Sequence, residues 1–211
     1  ICPFQSNGIF KRILLILWAF FNQGDINHIT GDINFISLFF KKKRTITTIH
    51  DNYVYYNFNS FKKKIYKFFW ITIPILKSSK IIFISSKIKQ ETQKIVKKKF
   101  FLCIIDICIP KGIKKKYKYK KIKDILFIGS SVNKNLSCLI IALKGLNMNL
   151  LIVGKVSNSN LNLLKHHNIR FKIFKKLSNY NIGKIYIRSD VLVFPSLYEG
   201  FGMPPIEANY A

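Results

Sequence analysis

From Asp124 to Phe194 the chain alternates between short runs of buried-strand composition and segments of helical period, and that alternation restricts the fold more than any other feature. Strand-like runs at Asp124 to Ile128, Asn149 to Val153, Ile169 to Phe174 and Val191 to Phe194 are separated by helix-like stretches. The first of these stretches carries Leu136, Leu139, Ile140, Leu143 and Leu146 on one face, and the others run from about Ser159 to His167 and Ser178 to Arg188. Strands joined through helices pair in parallel with right-handed crossovers, so an α/β doubly wound parallel sheet is expected.

The first half is less regular. Thr45 to Ile49 and Ile81 to Ser85 read as strands, and Phe61 to Leu76 and Ser86 to Phe101 as helices. The longest apolar run, Ile13 to Phe21, reads as a buried helix or strand, because a membrane span needs roughly 18 to 20 apolar residues. Between the halves, residues 109–123 combine Pro110, Gly112 and a run of lysines that repel one another into extension. The expected organisation is therefore a first domain over 1–108, a linker over 109–123 and a second domain over 124–211.

The formal charge of +27 would by itself suggest nucleic acid or an anionic membrane surface. Two features weaken that reading. Arginine occurs only at 12, 44, 170 and 188, whereas bidentate recognition of phosphates and bases favours arginine over lysine. The excess of Ile, Lys, Asn, Phe and Tyr is also the pattern an AT-rich coding sequence imposes on any protein. Cys2, Cys103, Cys108 and Cys138 form no Cys-x-x-Cys, and the adjacent His166-His167 cannot share a helix face, so zinc is not expected. Free thiols in a reducing, cytoplasmic setting follow from the same cysteine usage.

In doubly wound sheets, ligands bind beyond the carboxyl ends of the strands, and three segments fall at such ends. The last is Ser196-Leu197-Tyr198-Glu199-Gly200-Phe201-Gly202-Met203-Pro204-Pro205-Ile206-Glu207-Ala208. Two of the chain's three glutamates bracket two glycines there, ahead of a helix start marked by Pro205. Glycines let backbone N–H groups approach a ligand, and a helix N-terminus favours negative charge. The bland alternative is a surface turn with Glu207 as a first-turn helix acid. A second segment, Gly129 to Asn135, is a small-residue loop in which Ser130 and Lys134 could meet a diphosphate, or in which Ser130 and Ser131 merely cap a helix. It is not a Walker A loop, which needs a second glycine before the lysine. The third, Thr48-Ile49-His50-Asp51, is either a satisfied polar pair or a donor to a sugar hydroxyl.

In order and context these pieces resemble retaining glycosyltransferases of the GT-B fold, family 4. Ser-x-x-Glu-Gly-Phe-Gly-x-Pro-x-x-Glu-Ala at 196–208 resembles the Glu-x7-Glu motif, and Asp124 to Gly129 with Lys134-Asn135-Leu136 looks like the phosphate segment. Thr47 to Asp51 is similar to the family's Thr-x-His-Asp, and His28 with Thr30-Gly31-Asp32 to its His-x-Thr-Gly-Asp. The resemblance implies two Rossmann-like doubly wound parallel-sheet domains, both incomplete here, the first on the acceptor side and the second binding the nucleotide-sugar. It further implies that Glu207 holds the donor ribose, Glu199 meets donor-sugar hydroxyls, and the backbone of Gly200, Phe201 and Gly202 approaches the sugar and leaving diphosphate. Lys134 would neutralise that diphosphate, and His50 would face the sugar from the opposite domain. The implied function is transfer of a sugar, with retention, from a nucleotide-sugar to a glycan or lipid-linked acceptor, in polysaccharide biosynthesis.

No Asp-x-Asp motif is present, so no metal and no other cofactor is expected, with the nucleotide-sugar as substrate. The phosphate loop departs from the family in offering Lys134 without a companion arginine. The chain opens beyond the family's first glycine-rich loop and stops shortly after Glu207, which suggests a fragment truncated at both ends and inactive alone. The alternative class is a basic, non-catalytic protein using segments such as Phe61 to Trp70 on nucleic acid, but no nucleic-acid motif accompanies it and nucleic acid is not an expected partner. Peripheral contact with the inner face of a membrane, through Lys62-Lys63-Lys64 and Lys97-Lys98-Lys99, could accompany catalysis.

Overall fold

The computed structural model describes residues 4, 6–97, 103–104 and 122–211, and the expected linker lies, except for residues 122 and 123, outside the described residues. The chain divides into two compact units, Ile1–Ile107 and Cys108–Ala211.

The first unit runs α1 (Ile9–Phe21), β1 (Asn27–Ile29), β2 (Thr45–Ile49), α2 (Tyr53–Asn57), α3 (Ser60–Tyr66), α4 (Ile73–Lys77), β3 (Lys80–Phe83), α5 (Ser86–Val96) and β4 (Cys103–Ile104). Its four strands lie in chain order β1-β2-β3-β4, all pairs parallel. Two 3-10 turns, Asn34–Phe39 and Lys42–Arg44, fill the β1–β2 connection. A π-helical stretch, Lys67–Thr72, joins α3 to α4, so the single expected helix over 61–76 is one helical path of changing pitch. That stretch turns Trp70 inward, where it stacks on Tyr66 with ring centroids 5.2 Å apart and meets Phe35 at 4.7 Å. Leu15, Ile71 and Ile95 complete this core.

The apolar run from Ile13 to Phe21 is a helix, but it is not buried throughout. Leu15 and Ala19 face the core while Ile13, Leu17, Phe20 and Phe21 remain exposed. The run from Phe61 to Trp70 divides in the same way, with Tyr66 and Trp70 inside and Phe61 and Phe68 outside. Strand β1 carries no strand-like apolar run and is not foreseeable from pattern; its pairing with β2 alone makes it a strand.

The second unit runs β5 (Asp124–Ile128), α6 (Leu136–Ala142), β6 (Asn149–Val153), α7 (Asn158–His166), β7 (Arg170–Phe174), α8 (Asn179–Arg188), β8 (Val191–Leu192) and α9 (Met203–Tyr210). The sheet order is β7-β6-β5-β8, again wholly parallel. Serines start two of its helices: Ser157 accepts from the Asn160 N–H, and Ser178 from the Asn181 N–H. Helix α6 is shorter than the apolar period suggests, because the chain turns after Ala142 and Gly145 takes φ +77°, leaving Leu146 exposed.

Both faces of this sheet are covered, and the pleat explains how. Ile125, Phe127, Leu150 and Ile152 point to one side, where they meet Leu139, Ile140 and Leu164. The intervening Leu126 and Leu151 point to the other, against Ile185 and Tyr186. Strands buried on two faces read as continuous apolar runs, which is how they stand in the sequence.

Candidate active site

Strands β5 and β8 are sheet neighbours, Ile125 pairing with Val191 and Leu126 with Leu192, so the loops leaving their carboxyl ends emerge side by side. This is where the order of connection reverses in the sheet, from β5 outward to β6 and back to β8. Two bonds through one residue fasten the loops together. Asn133, buried, donates from Nδ2 to the Tyr198 carbonyl at 2.9 Å, and its own carbonyl accepts from the Leu197 N–H at 2.8 Å.

The fastening brings Lys134 onto Glu199. Their Nζ and Oε1 atoms lie 2.5 Å apart with both side chains three-quarters or more buried, and the ammonium also stands 5.2 Å from the centre of the Phe194 ring. A desolvated ammonium is costly unless paired, and the carboxylate and the ring face supply that pairing. Glu207, on α9, accepts a hydrogen bond from the Tyr186 hydroxyl at 2.5 Å. Burial first, and then the Glu207 carboxylate, push the Tyr186 phenol upward from its usual pKa, so it remains a donor. Nothing in the sequence marks Tyr186 as functional; the signal lay only in α8 packing beneath the sheet end that carries α9.

Backbone requirements at this edge are strict. Gly154, ending β6, has φ +144°, and a Cβ there would fall 2.2 Å from the Gly129 carbonyl oxygen. Gly129 has φ +152°, and its Cβ would strike the Lys134 side chain at 2.4 Å. Glycine at both positions lets the loops after β5 and β6 close on one another. Ser130 takes part in that closure, its Oγ accepting from the Lys155 N–H at 2.8 Å, so it does not cap α6. Asn135, in the left-handed region at φ 59°, starts α6 without a side-chain cap.

Gly200, Phe201 and Gly202 lie between the two glutamates, and Gly202 precedes α9 with φ +86°. Pro204 and Pro205 stand in the first turn of that helix, which removes two of the four N–H groups a helix start ordinarily presents. The N–H groups left at this start are those of Gly202 and Met203.

In the first unit, His50 follows β2 and donates from Nε2 to the Thr30 carbonyl, while His28 Nε2 lies 2.9 Å from Thr48 Oγ1. The carboxyl ends of β1 and β2 are thus cross-linked by two histidines. Because a carbonyl can only accept, His50 carries its proton on Nε2. Asp51 accepts from the Tyr53 N–H, opening α2, and the Asp32 carbonyl accepts from Trp70 Nε1 at 3.3 Å. The sequence-assigned residues therefore fall into two groups, Lys134, Ser130, Glu199 and Glu207 with the glycine loop in one unit and His50 in the other.

Residues 109–211 match the family model described as "Glycosyl transferases group 1". The fold agrees. A TarM mutant from S. aureus, solved with fondaparinux, alpha-GlcNAc-glycerol and UDP, superposes with TM-score 0.66 at 19% identity over 94% of this chain and 43% of its own. Anabaena Alr3699/HepE, solved with UDP and glucose, gives TM-score 0.71 at 14% identity over 98% of this chain and 62% of its own. The lipopolysaccharide outer core galactosyltransferase WaaB, in its apo form, gives 0.53 at 19% over 95% and 59%. The fold is of the GT-B type. The chain spans about two-fifths to three-fifths of the length of these glycosyltransferases. No curated protein matches it.

Proposed function

We propose that the second unit carries the donor site of a retaining glycosyltransferase of family 4, which moves a sugar from a nucleotide-sugar to a glycan or lipid-linked acceptor. The observation that carries the reading is the Lys134–Glu199 pair, held over the β5–β8 strand ends within the stretch that matches the group 1 glycosyltransferases.

The net chemistry breaks the bond between the anomeric carbon and the diphosphate, forms one to an acceptor oxygen, and releases the acceptor's proton with the nucleoside diphosphate. Negative charge grows on the leaving diphosphate while the sugar becomes oxocarbenium-like. In this reading Lys134 meets the growing charge, an interaction strongest in the transition state, and Glu199 passes from Lys134 to the sugar hydroxyls. Backbone N–H groups around Gly200, Phe201 and Gly202 approach the same phosphates. Glu207, oriented by Tyr186, accepts from the ribose diol. Ser130 contributes by fixing the phosphate loop, since its hydroxyl already serves Lys155. His50 enters on the resemblance to the family alone. No metal is assigned, because a lysine and a helix N-terminus can stabilise the diphosphate between them.

UDP is the first ligand to try, being the nucleotide held by two proteins of the same fold. Calorimetric titration should give saturable binding that Glu207→Ala weakens. Absence of binding to any nucleoside diphosphate would overturn the reading, and the anomeric configuration of the product, read by NMR, tests retention.

A further inference from the structure

Helix α1 leaves an apolar face largely exposed. At about 100° per residue, Phe10, Ile13, Leu17, Phe20 and Phe21 fall within an arc of about 120°, opposite Leu15 and Ala19 in the core. Phe10 is 73% exposed and Phe21 79%. A contiguous exposed apolar patch of this kind marks a docking surface more often than a chance arrangement.

The face continues into a cationic pocket. The Phe20 ring meets Phe39 edge-on, with centroids 6.1 Å apart, and Phe39 lines a pocket of about 670 Å³ together with Lys41, Lys42, Lys43, Arg44 and Lys77. No acidic residue lines it. The five cations sit just before β2 and β3, at the amino ends of the strands, away from the carboxyl edge that holds His50.

We infer that α1 and this pocket dock the first unit on an anionic lipid surface, with the aromatic and aliphatic side chains entering the acyl boundary and the cations taking the headgroup phosphates. Charge decides the occupant. A second copy of a chain carrying +27 would bring like charges together, whereas an anionic bilayer complements them. The exposed residues of the helix other than Lys11 are Phe, Ile and Leu, which partition into the interface, while four of the five pocket cations are lysines whose stems can lie along apolar surface. Among the described residues no helix is long and apolar enough to cross a membrane, so the contact is peripheral. The location differs from the lysine clusters at 62–64 and 97–99 singled out in the sequence. This inference does not rest on the glycosyltransferase reading.

Sedimentation with vesicles of phosphatidylcholine alone, and with one third phosphatidylglycerol, tests it on the whole 211-residue chain. The chain should sediment only with the anionic vesicles. Leu17→Glu with Phe20→Glu, and separately Lys42→Glu with Lys43→Glu, should each lower the bound fraction at least tenfold, while Lys62→Glu with Lys64→Glu lowers it less than twofold. All these side chains are exposed or nearly so, and circular dichroism checks that each variant is folded. A tryptophan replacing Phe20 should be quenched by lipid brominated in the acyl chain. Equal loss from the 62/64 variant, absence of quenching, or a Leu17/Phe20 variant that turns a dimer into a monomer without changing lipid binding would each overturn the inference. So would an oligonucleotide that binds the same surface more tightly than the vesicles and displaces them.

Discussion

Lys134 Nζ and Glu199 Oε1 stand 2.5 Å apart although 65 residues separate them in the chain. The proposed function assigns each a different portion of the donor, the lysine to the diphosphate and the glutamate to the sugar, and the two side chains pair with each other. In the proposed reading, donor binding exchanges this pair for two new ones.

The first expectation follows from that exchange. Lys134→Ala should weaken UDP binding by about 1.5 to 3 kcal/mol, the usual range for a hydrogen bond to a charged group. Glu199→Ala releases the ammonium, so UDP binding should be unchanged or tighter while turnover of the sugar donor falls. Calorimetry with UDP and initial rates with the nucleotide-sugar separate the two, and equal weakening of UDP binding by both variants would reduce the pair to a loop fastener.

Glu207→Ala should cost about 1.5 to 3 kcal/mol of nucleoside diphosphate affinity, because a charged acceptor is removed. Tyr186→Phe deletes only the hydroxyl that orients it and should cost about 0.5 to 1.5 kcal/mol. Titrating ribose-containing and 2'-deoxyribose diphosphates against both variants checks the assignment. If deoxy and ribose forms bind the parent alike, Glu207 does not hold the diol.

Gly154→Ala should destabilise the second unit by about 1 to 3 kcal/mol, from a strained positive φ compounded by a backbone oxygen in the path of the new Cβ. Gly129→Ala meets a flexible lysine side chain at its closest contact, so it should cost less stability and more UDP affinity. Chemical denaturation and calorimetry on the two variants give the comparison. Reversal of that order would mean the loop at Gly154 relaxes freely.

Activity, measured on this chain or on a longer protein that carries it, should survive EDTA. Lys134 and the start of α9 are assigned the charge stabilisation that a divalent ion supplies elsewhere. Recovery of a chelated enzyme only after adding Mg²⁺ or Mn²⁺ would contradict the metal-free assignment.

Much of this architecture is legible in the residues themselves. Continuous apolar runs at Ile125 to Phe127 and Leu150 to Ile152, serine caps at 157 and 178, and a glycine closing β6 are local signals, each set by one element's own chemistry. The two-residue β8 and the apolar Leu146 show where local signals end. Val193 and Phe194 continue a strand by composition, but β8 is in register with β5 at Val191 and Leu192, and its last bond to that strand is from the Val193 N–H to the Leu126 carbonyl.

The sequence by itself determined the fold class, the strand-end position of the Glu199 to Glu207 loop and the charge of its acceptors, because periodicity, turn residues and ionisable groups are properties of short stretches. Only the tertiary structure decided which groups meet. Parallel pairing of β5 with β8 is a contact between segments more than sixty residues apart, and it alone brings Lys134 to Glu199 and Asn133 to Tyr198. Packing of α8 under the sheet likewise selected Tyr186 as the partner of Glu207, and packing of one face of α1 left the other to solvent. Such partnerships depend on chain geometry over long separations, and no local pattern encodes them.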